Sequence, residues 1–428
     1  MKNLLFALLL LLGATCAAAQ GFIRTDGTRF VRDGQTYRFV GANFWYGSVL
    51  GSRGQGGDRE RLARELDAMK ALGIDNLRIL AGADAGSKNV VSVRPYLQPE
   101  PGVLCDTLLE GLDYLLCEMR KRDMVAVIYL TNAWDWSGGL GFYLRAAGYG
   151  DSPDASGEGW NDYCAYAVDF FRSEQAKNLY YDHVCRIVSR TNSLTGRPYA
   201  DDPAIMAWQL CNEPRPFADN TKQAFAAWVD STARLIKSLD RNHLVSTGSE
   251  GLYGCAVDER LTERIHALQS VDYLTCHIWP VNWGWSSAGN LSRALPNVFV
   301  KAGEYLALHE RMARRLDKPL VAEEFGYPRD RNSFAVGTST DSRDGFYTFM
   351  TQKLLASHAD GGPLAGLNFW GWAGSGRPTA ERWAEGADFL CDPPHEPQGW
   401  YSVYDTDAST LDIIRRTAEA LGRANINP

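Results

Sequence analysis

The sequence predicts an α/β fold, a (β/α)8 barrel with extended upper loops and an N-terminal β-hairpin. Short apolar runs alternate with amphipathic helical patterns along most of the 428 residues, which is typical of strand–helix units repeated around a parallel sheet. Eight such units can be counted, and no internal repeat or linker marks a second domain. Because the chain is longer than a usual barrel, we expect the excess residues to form long loops.

The strand predictions rest on short apolar runs, one in each unit. They cover residues 39–43, 76–80, 125–130, 205–211, 244–248, 273–277, 320–324 and 366–370. Ahead of the first run, the Asp-Gly pairs at 26–27 and 33–34 predict a hairpin over 22–37 that closes the bottom of the barrel.

The first connecting helix is indicated by four apolar residues that recur at helical spacing. Asp58 is its predicted N-cap and Gly73 its predicted end. The apolar face comprises Leu62, Leu66, Met69 and Leu72. Further helices are predicted over 107–121, 174–189, 222–238, 298–315, 344–357 and 410–421.

Long segments rich in Gly, Trp, Asp and Pro follow several strands, at 131–163, 279–296, 326–341 and 373–404. Loops after the carboxyl ends of barrel strands build the active face of this fold. The sequence therefore predicts a functional cleft at that end, lined by many of the 13 tryptophans.

The N-terminus predicts export. Residues 1–19 combine Lys2, an apolar run and an Ala-rich cleavage pattern, as in a secretory signal peptide. We expect residues 20–428 to form one catalytic domain, secreted or periplasmic, with lipid anchoring through Cys16 as an alternative. No later apolar stretch reaches membrane length, so no transmembrane segment is expected.

Charge and cysteine content narrow the possible partners. A net charge of −7 argues against nucleic acid, because phosphate binding requires a basic face. The eight cysteines after Cys16 are an even number, so disulfide pairing is possible in an oxidising compartment. No Cys or His spacing indicates a structural metal. We expect a monomer without metal or cofactor.

Two acidic strand ends suit the hydrolysis of a glycosidic bond, which uses one carboxylic acid and one carboxylate. Asn212 and Glu213 follow the fourth predicted strand in AIMAWQLCNEPRP, and Glu323 and Glu324 end the seventh in KPLVAEEFGYP. Because strand residues alternate between faces, only one of the latter two is expected to face the barrel axis.

With these motifs the chain resembles glycoside hydrolase family 5. Asn212-Glu213-Pro214 matches the family's acid/base motif, and Glu324-Phe325-Gly326 matches its nucleophile motif. The resemblance implies that Glu213 is the acid/base and Glu324 the nucleophile. Glu323 is expected to be a buried structural partner.

The resemblance also implies roles for matched residues around the two acids. Arg78 should hold the nucleophile carboxylate and depress the pKa of Glu324. Asn212 should bind the sugar 2-hydroxyl and His277 should be an active-site histidine. Trp370 should form the aromatic platform under the sugar. Trp279 stands where many members carry a tyrosine, and its role stays open.

Local detail favours the endo-β-1,4-mannanase subfamily. Arg215 directly after Asn-Glu-Pro, the run HIWPVNWGW and the opening GANFWYG carry this likeness, and Arg215 is expected to support the loop of Asn212 and Glu213. Trp45 and Trp134 are expected to stack on sugars. The predicted activity is retaining hydrolysis of β-mannan polysaccharides or oligosaccharides, with Glu213 protonated and Glu324 ionised at rest.

The alternatives are an endo-β-1,4-glucanase or an exo-β-mannosidase of the same family. A non-catalytic β-glycan-binding protein would share the aromatic cleft, but it should lack at least one of the two acids.

Overall fold

The computed structural model describes residues 21–155 and 159–422. The predicted signal segment and Cys16 lie outside these residues. The described residues begin with three short antiparallel strands, β1 (Arg24–Asp26), β2 (Arg29–Arg32) and β3 (Gln35–Tyr37). The expected hairpin is therefore a three-stranded meander, because each of the two Asp-Gly turns connects a pair of strands. Phe30 and Tyr37 pack against the lower barrel residues Val125, Met206 and Val321, which closes the bottom as predicted.

The predicted barrel is confirmed by eight parallel strands. They are β4 (Phe39–Asn43), β5 (Asn76–Leu80), β6 (Val125–Tyr129), β7 (Ile205–Gln209), β8 (Leu244–Ser246), β9 (Leu274–Ile278), β10 (Leu320–Phe325) and β11 (Leu364–Phe369). The hydrogen-bonded order is β8-β7-β6-β5-β4-β11-β10-β9. Between β8 and β9, the Asp272 amide donates to the Val245 carbonyl at 2.8 Å, which joins the two ends of the sheet.

The helices surround the barrel and connect its strands. They are α1 (Gly47–Gly51), α2 (Arg59–Ala71), α3 (Asp106–Lys121), α4 (Gly139–Ala146), α5 (Trp160–Ala167), α6 (Glu174–Val188), α7 (Lys222–Leu239), α8 (Glu259–His266), α9 (Leu291–Leu316), α10 (Asp341–Ala359) and α11 (Ala408–Ala420). In α2 the Asp58 carboxylate accepts the Arg61 amide hydrogen at 2.8 Å, and Gly73 follows the helix with φ of 79°. The predicted cap and end are therefore confirmed.

Four helices, α1, α4, α5 and α8, were not predicted, and α9 begins earlier than predicted; α4 lies within the segment 131–163 that was expected to be a loop. The helix α8 was not predicted, because its eight residues, ERLTERIH, give only two turns of periodicity. The helix α9 begins at Leu291, seven residues before the predicted start, and contains Pro296. Pro296 suggested that the loop continues to this residue, but the first two turns of α9 contain it.

The eight cysteines in the described ranges are all unpaired. The possibility of disulfide pairing is therefore not realised, and Cys211, Cys255, Cys276 and Cys391 are buried among apolar side chains. The described ranges also contain no helix with the length and apolar character needed to cross a membrane.

Candidate active site

A cavity of about 540 Å³ lies at the carboxyl ends of the barrel strands. Both predicted carboxylates, Glu213 and Glu324, line it together with Asn212 and Arg215. Its aromatic lining includes Trp134, Trp136, Trp160, Trp279, Trp283 and Trp370. This is the end of the fold at which the sequence placed the cleft.

Arg78, on β5, is fully buried and connects several site residues. Its Nε donates to Gln209 Oε1 at 2.8 Å, and one terminal nitrogen donates to Asn212 Oδ1 at 2.7 Å. The other donates to Asn43 Oδ1 at 3.2 Å and to Glu324 Oε1. One planar guanidinium thus holds Asn212 and Glu324 in a common frame.

Glu323 and Glu324 both reach the barrel interior. The expectation that only one of them would do so is wrong, because the pairing of β10 with β9 shifts register between Ala322 and Glu324 and breaks the strand alternation. Glu323 is buried and accepts a hydrogen bond from Gln209 Nε2, which agrees with the structural role predicted for it.

Glu213 follows β7 in the left-handed backbone region, with φ of 51°. Its amide donates to the Gly248 carbonyl at 2.8 Å, which fixes this loop against the next strand end. Its carboxylate accepts hydrogen bonds from Trp134 Nε1 at 2.5 Å and from His277 Nδ1 at 2.7 Å. Two donors from different loops therefore orient the carboxylate.

His277, on β9, lies between the two carboxylates. Its Nδ1 is 2.7 Å from Glu213 Oε1 and 3.3 Å from Glu324 Oε2, and the three facing atoms lie within 4.8 Å of one another. Its Nε2 faces Glu323 Oε1 at 3.6 Å, which is beyond a hydrogen bond. The structure thus brings the acids of the fourth and seventh barrel strands to the same nitrogen of one imidazole.

The pKa values of the three facing residues are all shifted. Burial favours a neutral His277, but the charge of Glu324 and the hydrogen bond to Glu213 outweigh it and raise the pKa of His277 to about 10. Burial also raises the pKa of Glu324 to about 7, despite the charges of His277 and Arg78. For Glu213 the His277 hydrogen bond, with the charges of His277 and Arg215, outweighs burial and lowers the pKa.

The charge of Arg78 favours ionised Glu324, as expected, but burial outweighs it. The protonation of the two acids at rest stays a prediction. The two carboxyls titrate as a coupled pair. Because His277 Nδ1 lies nearer to Glu213, it stabilises the charged form of Glu213 more than that of Glu324.

Glu213, His277 and Glu324 also have the residue types and spacing of a metal-binding group. Arg78 donates to Glu324 directly beside them. The raised pKa of His277 opposes binding as well, because a metal requires a neutral imidazole. The geometry suits proton transfer better than metal ligation.

Trp370, the expected platform residue, follows β11 and is 4% exposed. Trp279 contacts it edge to face with ring centroids 6.0 Å apart, and contacts Tyr401 at 4.9 Å. Within the described residues, no hydrogen bond joins Trp279 to Glu324, so its indole shapes the aromatic corner of the pocket.

Trp45 does not line the pocket, contrary to expectation. Its ring packs behind Trp136 at 5.3 Å and against Phe389 at 5.8 Å, and its Nε1 donates to the Cys391 carbonyl at 2.8 Å. Because Trp45 follows β4, the sequence predicted that it would reach the cleft. In the structure Trp136 lies between Trp45 and the pocket.

Arg215 pairs with Glu250, which follows β8, through a hydrogen bond to Glu250 Oε2. Its guanidinium also lies over the rings of Trp134 at 5.1 Å and Trp160 at 5.5 Å. Arg215 therefore connects three walls of the pocket and extends beyond the loop of Glu213 that it was expected to support.

Sequence analysis missed several polar groups of the pocket. Glu250, His395 and Glu396 all line it. Glu250 followed a predicted strand end, and this position could have identified it. His395 and Glu396 belong to a long loop, and no periodic pattern in its sequence predicts which of its side chains face the pocket.

Known proteins with a similar sequence identify the family of the chain. Residues 20–425 match the family model described as GH family 5 beta-mannosidase-like. Among curated relatives, a putative mannan endo-1,4-beta-mannosidase 9 of Oryza sativa subsp. japonica is 32% identical, with 95% of this chain and 91% of the relative covered. Mannan endo-1,4-beta-mannosidase 4 of the same plant is 31% identical, with 96% of this chain and 84% of the relative covered.

The fold comparison points the same way. The crystal structure of a glycoside hydrolase family 5 mannosidase from Rhizomucor miehei matches with a TM-score of 0.86 at 33% identity, with 94% of this chain and 98% of that chain covered. The chain therefore belongs to the β-mannosidase-like proteins of glycoside hydrolase family 5.

Proposed function

We propose that the protein is a retaining endo-β-1,4-mannanase that hydrolyses internal bonds of mannan, glucomannan or galactomannan. The observation that carries this proposal is the approach of Glu213 and Glu324 beside His277 Nδ1, with their facing oxygens within 4.8 Å of each other. A separation of about 5 Å leaves no room for a water between acid and sugar, so the second carboxylate attacks directly.

The reaction proceeds in two displacements. Glu324 attacks the anomeric carbon while Glu213 gives its proton to the departing oxygen, which yields a glycosyl-enzyme ester and a free chain end. Glu213 then takes a proton from water, the resulting hydroxide attacks the same carbon, and Glu324 leaves as a carboxylate. The two inversions give net retention, and no metal or cofactor takes part.

The proton must reach Glu213 before cleavage. His277 Nδ1 can donate to either carboxylate with a small movement, because Glu324 Oε2 is already 3.3 Å away. When this donor turns to Glu324, the ionised form of Glu324 is stabilised and Glu213 loses a donor. Both changes transfer the preferred protonation site to Glu213, so His277 controls which carboxyl holds the proton.

The neighbouring residues support substrate binding. Arg78 holds Asn212 beside Glu324, which supports a contact between the Asn212 amide and the sugar 2-hydroxyl. Trp370 offers its indole to the apolar C–H face of a pyranose. Arg215, Trp134 and Trp160 form a cation–aromatic wall along the Glu213 side, where the departing part of the chain lies.

The stereochemistry is tested by proton nuclear magnetic resonance of the first-formed anomer from mannohexaose. We expect the β-anomer first, and an initial α-anomer would contradict direct attack by Glu324. Replacement of Glu213 by glutamine should lower the rate on mannan by about 10²- to 10⁴-fold. The rate of the same variant on an aryl mannoside should fall much less, because a strongly acidic leaving group departs without a proton from Glu213.

Exo-β-mannosidase activity is the second candidate. It is favoured by His395 and Glu396, which add polar side chains to the pocket wall, and by the similarity to the Rhizomucor miehei mannosidase. Early products separate the candidates, because endo action on mannohexaose yields mixed oligosaccharides whereas exo action yields mannose and mannopentaose. Rates on mannan and carboxymethylcellulose compared side by side test the preference for mannan over a glucan.

We further propose that the protein is exported as a monomer. The predicted signal peptide over residues 1–19 supports export, with Cys16 as the point of lipid attachment in the alternative. Fractionation of expressing cells and the N-terminal sequence of the mature protein test this, and size-exclusion chromatography with light scattering tests the monomer.

A further inference from the structure

The pocket contains two polar side chains that the hydrolytic steps do not use. His395 and Glu396 lie in the loop after β11 and line the same cavity as Glu213 and Glu324. They stand next to Tyr401, which also lines the cavity and belongs to the aromatic corner with Trp279.

The turn that carries these two side chains is held by hydrogen bonds within the loop. The Asp392 carboxylate accepts from the amides of Gly399 at 2.8 Å and Tyr401 at 2.7 Å. Gln398 Nε2 donates to the carbonyl oxygens of Asp392, Pro393 and Glu396 at 3.0 to 3.3 Å. The backbone at residue 396 is therefore well positioned without any contribution from its side chain.

The two side chains themselves lack partners. Among the described residues, none forms a hydrogen bond or ion pair with the partly buried Glu396 carboxylate, and the buried His395 Nδ1 has no hydrogen-bond partner. Buried polar groups in folded proteins are nearly always hydrogen-bonded. A buried His395 Nδ1 without a partner, beside a Glu396 carboxylate that is open to the same sugar-sized cavity, is explained by a polar ligand.

The chemistry of the pair suits uncharged hydroxyl groups. Burial raises the pKa of Glu396 to about 8, and the carboxylates of Asp392, Glu213 and Glu324 add to this. Burial lowers the pKa of His395 to about 4. At neutral pH both side chains are mostly uncharged, and a carboxylic acid and a neutral imidazole can each donate and accept a hydrogen bond.

We propose that Glu396, with His395 beside it, binds hydroxyl groups of the sugar ring that Glu324 attacks, and thereby determines substrate specificity. This inference rests on the proposed function. Glu396 comes from the loop after β11, which also carries the platform Trp370, whereas Arg215 marks the side of the departing chain. A substrate with a single mannose should therefore depend on Glu396 as much as a long one.

The test compares Glu396→Ala and Glu396→Gln on p-nitrophenyl β-mannoside and on mannohexaose. We expect Glu396→Ala to raise KM about tenfold on both, because a buried hydrogen bond to the sugar is lost. Glu396→Gln should keep KM within about threefold of wild type, because its amide still donates and accepts. The control is Glu381→Gln, an exposed acid of the same loop, which should leave KM unchanged.

The pH dependence adds a readout that a structural role would not affect. Wild-type KM should rise above about pH 8, where Glu396 loses its proton and its donor. KM of Glu396→Gln should stay flat there, because an amide does not titrate. This measurement also tests the inference if Glu396→Ala fails to fold.

The outcomes distinguish this inference from the proposed function. A wild-type protein that hydrolyses no β-mannoside overturns both. If the wild type is active, an unchanged KM for Glu396→Ala on both substrates overturns the binding role alone. An increase on mannohexaose but not on the aryl mannoside would place Glu396 outside the site of the attacked sugar, and this also overturns the assignment.

Discussion

Replacing Arg78 with lysine should preserve the charge and remove the geometry on which the site depends. The guanidinium donates to four side-chain oxygens, those of Gln209, Asn43, Glu324 and Asn212. An ammonium has three donors on one atom, so at least one acceptor loses its partner. Because Arg78 is 0% exposed, bulk solvent does not reach the acceptor to replace the lost hydrogen bond. Each unpaired buried acceptor costs about 1–3 kcal/mol, and the free energy of unfolding should fall by about that amount or more.

The effect on catalysis should be larger than the charge alone suggests. Glu324 and Asn212 are bound by different nitrogens of one plane, and lysine cannot hold both at that spacing. A displacement of about 1 Å at the reacting groups can lower the rate about 100-fold. We expect kcat/KM on p-nitrophenyl β-mannoside to fall by about this factor.

Urea unfolding and steady-state kinetics of the same preparation measure the two effects. The matched control is Arg377→Lys at an arginine that is 38% exposed, and it should alter neither quantity. A kcat/KM of Arg78→Lys within about threefold of wild type would refute the argument that one planar group must position both residues.

Three further predictions follow from other parts of the structure. Arg215→Ala should lower activity on mannan more than on an aryl mannoside, because Arg215 lies over Trp134 and Trp160 on the side of the departing chain; equal losses would contradict that placement. Asp113→Asn should lower the free energy of unfolding at pH 7 by about 1–3 kcal/mol. Despite burial, hydrogen bonds led by that of Arg190 lower the pKa of Asp113. The stabilisation is therefore present above the unfolded pKa of about 4 and lost as the pH falls through the lower folded value, so unfolding curves of the two proteins should converge below about pH 4. Alkylation of the unfolded, unreduced protein should label all eight cysteines of the described chain, and a smaller mass shift would reveal disulfides.

Much of the barrel was predictable because its signals are local. Strand β4 begins and ends where its apolar run does, and the Asp58 cap with Gly73 marks both ends of α2. The seven longer connecting helices were predicted for the same reason. The start of α9 was wrong because a proline also occurs inside helices, and α8 is too short for its periodicity to be visible.

The candidate site also has a part that local signals predicted and a part that they did not. Glu213 and Glu324 were selected from motifs at strand ends, and the fold brings both to His277. The position of Trp45 behind Trp136, the Arg215–Glu250 pair and the side chain of Glu396 were not predictable, since each depends on how distant loops pack against one another.

By itself, the sequence determined the order of strands and helices, the family likeness and the two acids at the fourth and seventh strand ends. These depend on periodicity and on residues adjacent in the chain. Only the tertiary structure decided that His277 stands nearer to Glu213 than to Glu324, and so how the pKa values of the two acids shift. The physical reason is that a buried pKa depends on burial and on distances of a few ångströms between charges, and those distances are set by packing.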